Sequence, residues 1–257
     1  MTDVYAAWAA AHALQLLVAL PLLSGGAALL ILQGYVRASR RGRAVIFGAG
    51  FGVALLMFLA LAAAVGQQGA VVAFDSALAG ALSLSMDSSL LWLLSWFTYL
   101  GDRNLLTVLA VAMTLYLLWH RLWRLAAFCA IATGVGGALN WLFKHTFERV
   151  RPDHDHGFAN ALGWSFPSGH ASAAMAVYGT ACYLAWRLAP QTWRWPCVAI
   201  SAALIMAIGL SRILLQVHFA SDVAAGFAIS LAWLALCVAV VEHGRASNGP
   251  EQGFQQS

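Results

Sequence analysis

The chain has 257 residues, of which 61% are hydrophobic and only 9% charged, with a formal net charge of +4. Soluble domains carry about 25% charged residues, so an ordinary soluble enzyme is excluded and lipid must be the solvent for much of this chain. The arginines fall in short clusters between apolar runs, which is a pattern of membrane topology and not the continuous basic stripe of a nucleic-acid binder.

A membrane-crossing helix needs about 20 mostly apolar residues. In chain order the candidate spans are 13–36, 44–66, 104–120, 123–143, 170–189, 195–214 and 222–241. The expected fold class is therefore all-α, a polytopic transmembrane bundle of about 6–7 spans. Two helices fill 1–66, a segment at one membrane surface fills 67–103, a helical core fills 104–241, and a polar, mobile tail fills 242–257. The first apolar run has no basic residue before it and exceeds the ~7–15 residues of a signal h-region, so it is expected to stay as a span. Within 67–103, Phe74, Leu78 and Leu82 recur at helical spacing, and Leu90 to Leu100 carries Trp92, Trp96 and Tyr99. That stretch reads as an amphipathic interfacial helix, bordering a lipid's path or simply packing as an aromatic belt. The pair 104–120 and 123–143 is joined by a tight Arg-containing turn into a helical hairpin. Cys129, Cys182, Cys197 and Cys237 sit in or beside apolar runs without CxxC spacing and read as small buried hydrophobes.

Sidedness follows from the arginines. Arg37, Arg40, Arg41 and Arg43 crowd one connection, Arg121 and Arg124 another, and Arg187 and Arg194 flank a third. With seven spans these connections and the C-terminus share one side, which the positive-inside rule makes the cytoplasm. The N-terminus, 67–103, 144–169 and 211–222 then face outward.

Three polar clusters emerge on that outer side: Lys144 to Pro152, Pro167-Ser168-Gly169-His170, and Ser211-Arg212 followed by His218 and Asp222. A phosphate monoester is a dianion near neutral pH, and positioned cations and N–H donors supply most of the catalysis of its transfer. Lys144, Arg151 and Arg212 are the candidate cations; taken alone, Lys144 and Arg151 also fit snorkelling at a helix end. Seven residues apart, they share a face if the helix from 123 continues to Pro152. Gly169 permits close backbone approach to an anion, Ser168 suits an N-cap, and a helix start attracts negative charge. His218 and Asp222 lie one helical turn apart, so the carboxylate can take the proton on Nδ1 and leave Nε2 with its lone pair.

The pattern Lys-x6-Arg-Pro, Pro-Ser-Gly-His, Ser-Arg-x5-His-x3-Asp resembles the complete signature of the type 2 phosphatidic acid phosphatase (PAP2) superfamily, and the likeness covers roughly residues 100–241. It implies a membrane lipid phosphatase in which His218 is the nucleophile and forms a phosphohistidine. It further implies that Asp222 orients His218, that His170 protonates the leaving oxygen and then activates water, and that Lys144, Arg151, Ser168, Gly169 and Arg212 hold the phosphoryl oxygens. A neutral His218 and a protonated His170 give a bell-shaped pH profile. No cofactor or metal is required. His154, Asp155 and His156, with Asp153, offer a metal patch as an alternative, while His145, Glu148 and Arg149 read as interfacial surface. The partners implied are a lipid phosphate and the membrane, without nucleic acid. As substrates the family suggests undecaprenyl diphosphate, phosphatidic acid, phosphatidylglycerophosphate and lipid A phosphates, and the outward-facing site favours undecaprenyl diphosphate, because carrier-lipid recycling requires one. The expected location is a bacterial inner membrane, with the site facing the periplasm and the C-terminus in the cytoplasm. Transfer to a lipid acceptor instead of water would use the same residues; a transporter or scaffold with a degenerate site is the reading from another class.

Overall fold

A computed structural model describes residues 2–153, 157–159 and 161–246, and every regular element among them is helical. The helices are α1 (Thr2–Ala11), α2 (Ala13–Arg37), α3 (Arg40–Gly66), α4 (Ala70–Ser85), α5 (Ser88–Phe97), α6 (Arg103–Trp119), α7 (Trp123–Phe147), α8 (Gly169–Leu188), α9 (Gln191–Leu214) and α10 (Ala220–Ala246), with a 3-10 turn at Thr98–Gly101. Polar residues set the starts: Ser39 caps α3, Asp87 caps α5, and Asp102 caps α6 by accepting from the N–H groups of Asn104 and Leu105. The proposed tail begins inside α10, and residues beyond Ala246 lie outside those described.

Among the described residues, six helical stretches are long and apolar enough to cross a membrane: Ala13–Arg37, Arg40–Gly66, Ser88–Trp119, Trp123–Phe147, Gln191–Leu214 and Ala220–His243. The expected span at 170–189 is the exception. Helix α8 has 20 residues, enough for roughly 30 Å, but it is rich in Ala, with Gly, Ser and Thr among the rest. It packs against α6, α7, α9 and α10, so protein and not lipid covers its surface, and small residues suit that position. Gly25 marks the closest approach of α2 to α9, since a Cβ there would lie 3.0 Å from the Ala199 carbonyl oxygen.

Helix α2 runs antiparallel to α9 and α3 antiparallel to α10, with Ala13 meeting Leu214 and Val65 meeting Ala225. The arginine-rich connections at 37–43, 121–124 and 187–194 therefore gather at one end of the bundle. The end of α7 and the starts of α8 and α10 gather at the other. Helix α1, which hydropathy did not single out, packs on α4 at this second end. There Ala6, Ala10, Leu78, Leu82, Leu91 and Leu94 form a core with Leu214, Leu215 and Val217. Leu78 and Leu82 thus face inward from α4 as their spacing implied, while Trp92, Trp96 and Tyr99 are exposed; the expected interfacial segment 67–103 is cut at Ser88, because Ser88–Trp119 forms one stretch long and apolar enough to cross.

Candidate active site

Lys144 lies in the last turn of α7. The helix ends at Phe147 and Glu148 adopts a left-handed conformation with φ 45°. The expected continuation to Pro152 does not occur, so Lys144 and Arg151 are brought together by the left-handed Glu148 and the non-helical connection that follows it. Both reach the same carbonyl: Lys144 Nζ donates to Trp164 O, and Arg151 Nη2 donates to it at 3.2 Å. Arg151 Nε donates to Gly163 O at 2.8 Å and Nη1 to Val217 O at 2.6 Å.

Ser168 caps α8, its Oγ accepting from Ala171 N at 3.5 Å. The N–H groups of Gly169 and His170 are then the donors that this helix start offers an anion. The loop is fixed from two sides. Ser168 N donates to Asp222 O at 2.9 Å, and Asn140 of α7 donates to Pro167 O at 3.4 Å and to Ser172 Oγ at 2.9 Å. Gly226 lets α10 approach this point, because a Cβ there would sit 2.8 Å from Ser168 O. Arg212, in the last turn of α9, donates through Nη1 to Thr98 Oγ1 at 2.8 Å. Its buried Nε has no partner among the described residues, which leaves a donor for a ligand oxygen. The 3-10 turn closes over the opposite wall, where a Cβ on Gly101 would lie 3.3 Å from the His170 ring and 2.5 Å from Ile208.

His218 is buried between these groups. Its Nε2 lies 3.0 Å from Arg151 Nη1. A guanidinium can only donate, so Nε2 must carry the lone pair and Nδ1 the proton. That proton does not reach Asp222 directly, because Nδ1 is 3.6 Å from Asp222 Oδ2. Ser165 stands between them: its Oγ is 3.2 Å from Nδ1 and donates to Asp222 Oδ2 at 2.5 Å. The direct His–Asp contact expected from the four-residue spacing is thus replaced by a relay, His218 to Ser165 to Asp222. Burial drives the His218 imidazole down to about 3; the nearby Asp222 carboxylate opposes that, and Arg151 and Arg212 add to it. His218 is neutral at neutral pH as a result.

Arg149 is not interfacial surface. It is 8% exposed, stacks on Phe219 at 4.2 Å, and donates to Asp222 Oδ1 at 2.7 Å, Ser221 Oγ at 2.7 Å and Asp75 Oδ2 at 2.8 Å. His145 and Glu148, by contrast, are exposed as expected. Ser165, Arg149, Asp75 and Asn140 were not singled out by motif. Asp75 carried one signal, a lone carboxylate inside an apolar run. The proposed metal patch at His154, Asp155 and His156 lies outside the described residues. Ser211 is buried and its hydroxyl bonds back to Ile208 O at 2.7 Å, a role internal to α9. Pro152 follows Arg151 in the non-helical connection.

The result is one cup lined by Lys144, Arg151, Arg212 and the α8 start, with His170 and a neutral His218 at its base. Such a set can hold a tetrahedral anion while an imidazole nitrogen attacks its centre. A match to the PAP2 superfamily spans residues 122–245, which includes every signature residue. Phosphatidylglycerophosphatase B of Bacillus subtilis is 31% identical over 178 residues, covering 68% of this chain and 87% of the relative. The lipid A 1-phosphatase of Rhizobium johnstonii is 33% identical over 150 residues, 55% of either chain. The crystal structure of a transmembrane PAP2-type phosphatidylglycerolphosphate phosphatase from Bacillus subtilis matches with a TM-score of 0.70 at 29% identity, covering 75% of this chain and 96% of that one. Six apolar stretches among the described residues and similarity to a phosphatase over 68% of this chain and 87% of that relative lead to one assignment: the chain belongs to the PAP2 superfamily and is an integral-membrane lipid phosphatase.

Proposed function

We propose that the chain hydrolyses a lipid phosphate or diphosphate at the periplasmic face of a bacterial inner membrane, through a phosphohistidine on His218. The observation that carries this reading is the lone pair of His218 Nε2, presented to a cup of three cations and held by the Ser165–Asp222 relay. Arg151 Nη1 covers that lone pair. A phosphoryl group entering the cup offers Arg151 two better acceptors, a bidentate pair, and uncovers Nε2.

His218 Nε2 then forms a bond to phosphorus as the bond to the leaving oxygen breaks, and that oxygen takes its proton from His170, which burial and the neighbouring arginines hold neutral until the negative charge of the entering phosphate lets it take up a proton. The imidazole bonded to phosphorus carries a positive charge, which the relay to Asp222 stabilises. His170, now neutral, takes a proton from water as the water oxygen attacks phosphorus. The N–P bond breaks, inorganic phosphate leaves, and His218 returns to its starting form. Lys144, Arg151, Arg212 and the N–H groups at Gly169 and His170 hold the equatorial oxygens, with Ser168 fixing the loop.

The outward orientation rests on the arginine clusters at the end of the bundle opposite the cup. It places the C-terminus in the cytoplasm. An outward site suits a carrier lipid that must lose a phosphate on that side, so undecaprenyl diphosphate is the first substrate to test. Phosphatidylglycerophosphate is the second reading, favoured by the name of the Bacillus subtilis relative.

The test is purified protein against a panel of lipid mono- and diphosphates, with released phosphate and lipid product both measured. One lipid should stand at least tenfold above the rest in kcat/KM. His218→Ala and His170→Ala should each abolish its turnover while still inserting and folding. Normal turnover by either variant refutes the role assigned to that residue, and a phosphorylated lipid acceptor in place of free phosphate identifies a transferase.

A further inference from the structure

Asp75 lies on α4, outside the stretch matched to the family, and is 2% exposed in a helix of otherwise apolar character. A buried carboxylate needs partners, and this one has a full set. Oδ2 accepts from Arg149 Nη2 at 2.8 Å and from Ser221 Oγ, while Oδ1 accepts from Ser221 N at 3.1 Å. The same Arg149 holds Asp222 Oδ1 at 2.7 Å, so the two carboxylates bracket one guanidinium. Asp222 in turn anchors the Ser165 relay to His218.

We propose that Asp75 is a positioning residue for the nucleophile, setting both the placement of Asp222 and the charge behind His218. Charge counting gives the reason. Asp222 and Arg149 alone form a neutral pair, and a neutral pair gives little support to a cationic imidazole. With Asp75 the buried trio carries one net negative charge. When His218 Nε2 bonds to phosphorus and the ring becomes positive, trio and ring together are neutral. Geometry supplies a second reason. Arg149 is held at both ends and stacked on Phe219, so its Nη1 cannot drift, and Asp222 keeps Oδ2 aimed at Ser165. Apolar side chains of similar volume often match buried ion pairs in stability, so packing alone does not call for these charges.

The inference rests on His218 being the nucleophile, and the test separates the two. Orthovanadate forms five-coordinate adducts with an attacking nitrogen and mimics the transition state, whereas inorganic phosphate needs only the cations of the cup. Dissociation constants for both are measured on purified full-length wild type, Asp75→Asn, Ser221→Ala and His218→Ala. Asp75→Asn should weaken vanadate on the order of ten- to hundredfold, the range that outer-shell partners cost elsewhere, with phosphate within threefold of wild type. Ser221→Ala removes only the hydroxyl that bridges Asp75 and Arg149 beside their direct bond, so it should show the same selective loss, smaller in size, even where Asp75→Asn folds poorly. Equal losses of vanadate and phosphate in both variants indicate a merely structural role and overturn the proposal, as does unchanged vanadate binding. Wild-type vanadate affinity in His218→Ala overturns the nucleophile assignment itself, and the proposal falls with it.

Discussion

Replacing Ser165 with alanine isolates the relay. Ser165 is fully buried, and its Oγ joins His218 Nδ1, at 3.2 Å, to Asp222 Oδ2, at 2.5 Å. Without it Asp222 remains paired, since Oδ2 keeps Phe219 N at 2.9 Å and Oδ1 keeps Arg149 at 2.7 Å. The loss falls on His218. Its Nδ1 proton is left 3.6 Å from Asp222 Oδ2, beyond hydrogen-bond length. A bond in a charged chain contributes about 1.5–3 kcal/mol, and a buried donor without a partner costs about 1–3 kcal/mol. The ring can recover a direct bond by swinging roughly half an ångström, but Nε2 then moves away from phosphorus. On either path about 2 kcal/mol of transition-state stabilisation is lost, roughly thirtyfold in rate. Phosphate binding is untouched because the cations do not move. Steady-state turnover on the preferred lipid should therefore show kcat down about 10–100-fold with KM within twofold. A Ser165→Ala enzyme with kcat within twofold of wild type, in a protein where His218→Ala is inactive, refutes the relay.

Three further outcomes follow from the same geometry. Gly226→Ala places a Cβ 2.8 Å from Ser168 O and 3.0 Å from Ser172 Oγ, so α10 must move off the phosphate loop. Overpacking of this kind costs about 1–3 kcal/mol; a lower melting temperature in detergent together with at least tenfold lower kcat/KM is expected, and wild-type values for both would sink the packing argument. His218 has its pKa depressed by burial from 6.5 to about 3, so between those values the unfolded chain binds a proton that the folded one does not. Stability then falls as pH drops through that window. The melting temperature of His218→Asn, which cannot titrate, should decline less steeply over the same range, and parallel curves would contradict it. Activity should also survive dialysis against a chelator; a loss reversed by added divalent cation would instead show that a metal is required.

The signature residues were legible because each cluster sits where an apolar run meets a polar connection, and because the residue types carry phosphate chemistry whatever the local backbone. Their partners were not legible. Arg149 lies in the same cluster as Lys144 and Arg151 and looks like any other interfacial arginine; only the early end of α7 at Phe147 turns it inward, where it meets a carboxylate from α4. Ser165 is an unremarkable serine until the loop brings it between His218 and Asp222. The four-residue spacing of those two residues put them on one side of a helix. It could not register that His218 precedes the start of α10, and this offset opens the gap that Ser165 fills.

Hydropathy along the chain determined the all-helical class, most spans and the placement of basic connections at one end, because each depends on runs of about 20 residues solvated by lipid or water. Helix α8 escaped the apolarity rule because neighbouring helices, not lipid, are its solvent. Tertiary structure alone decided which donor meets which acceptor in the cup and behind it. Those pairings depend on how each helix is rotated about its axis and where each connection ends. Both are set by close packing between segments far apart in sequence, and no local pattern encodes them.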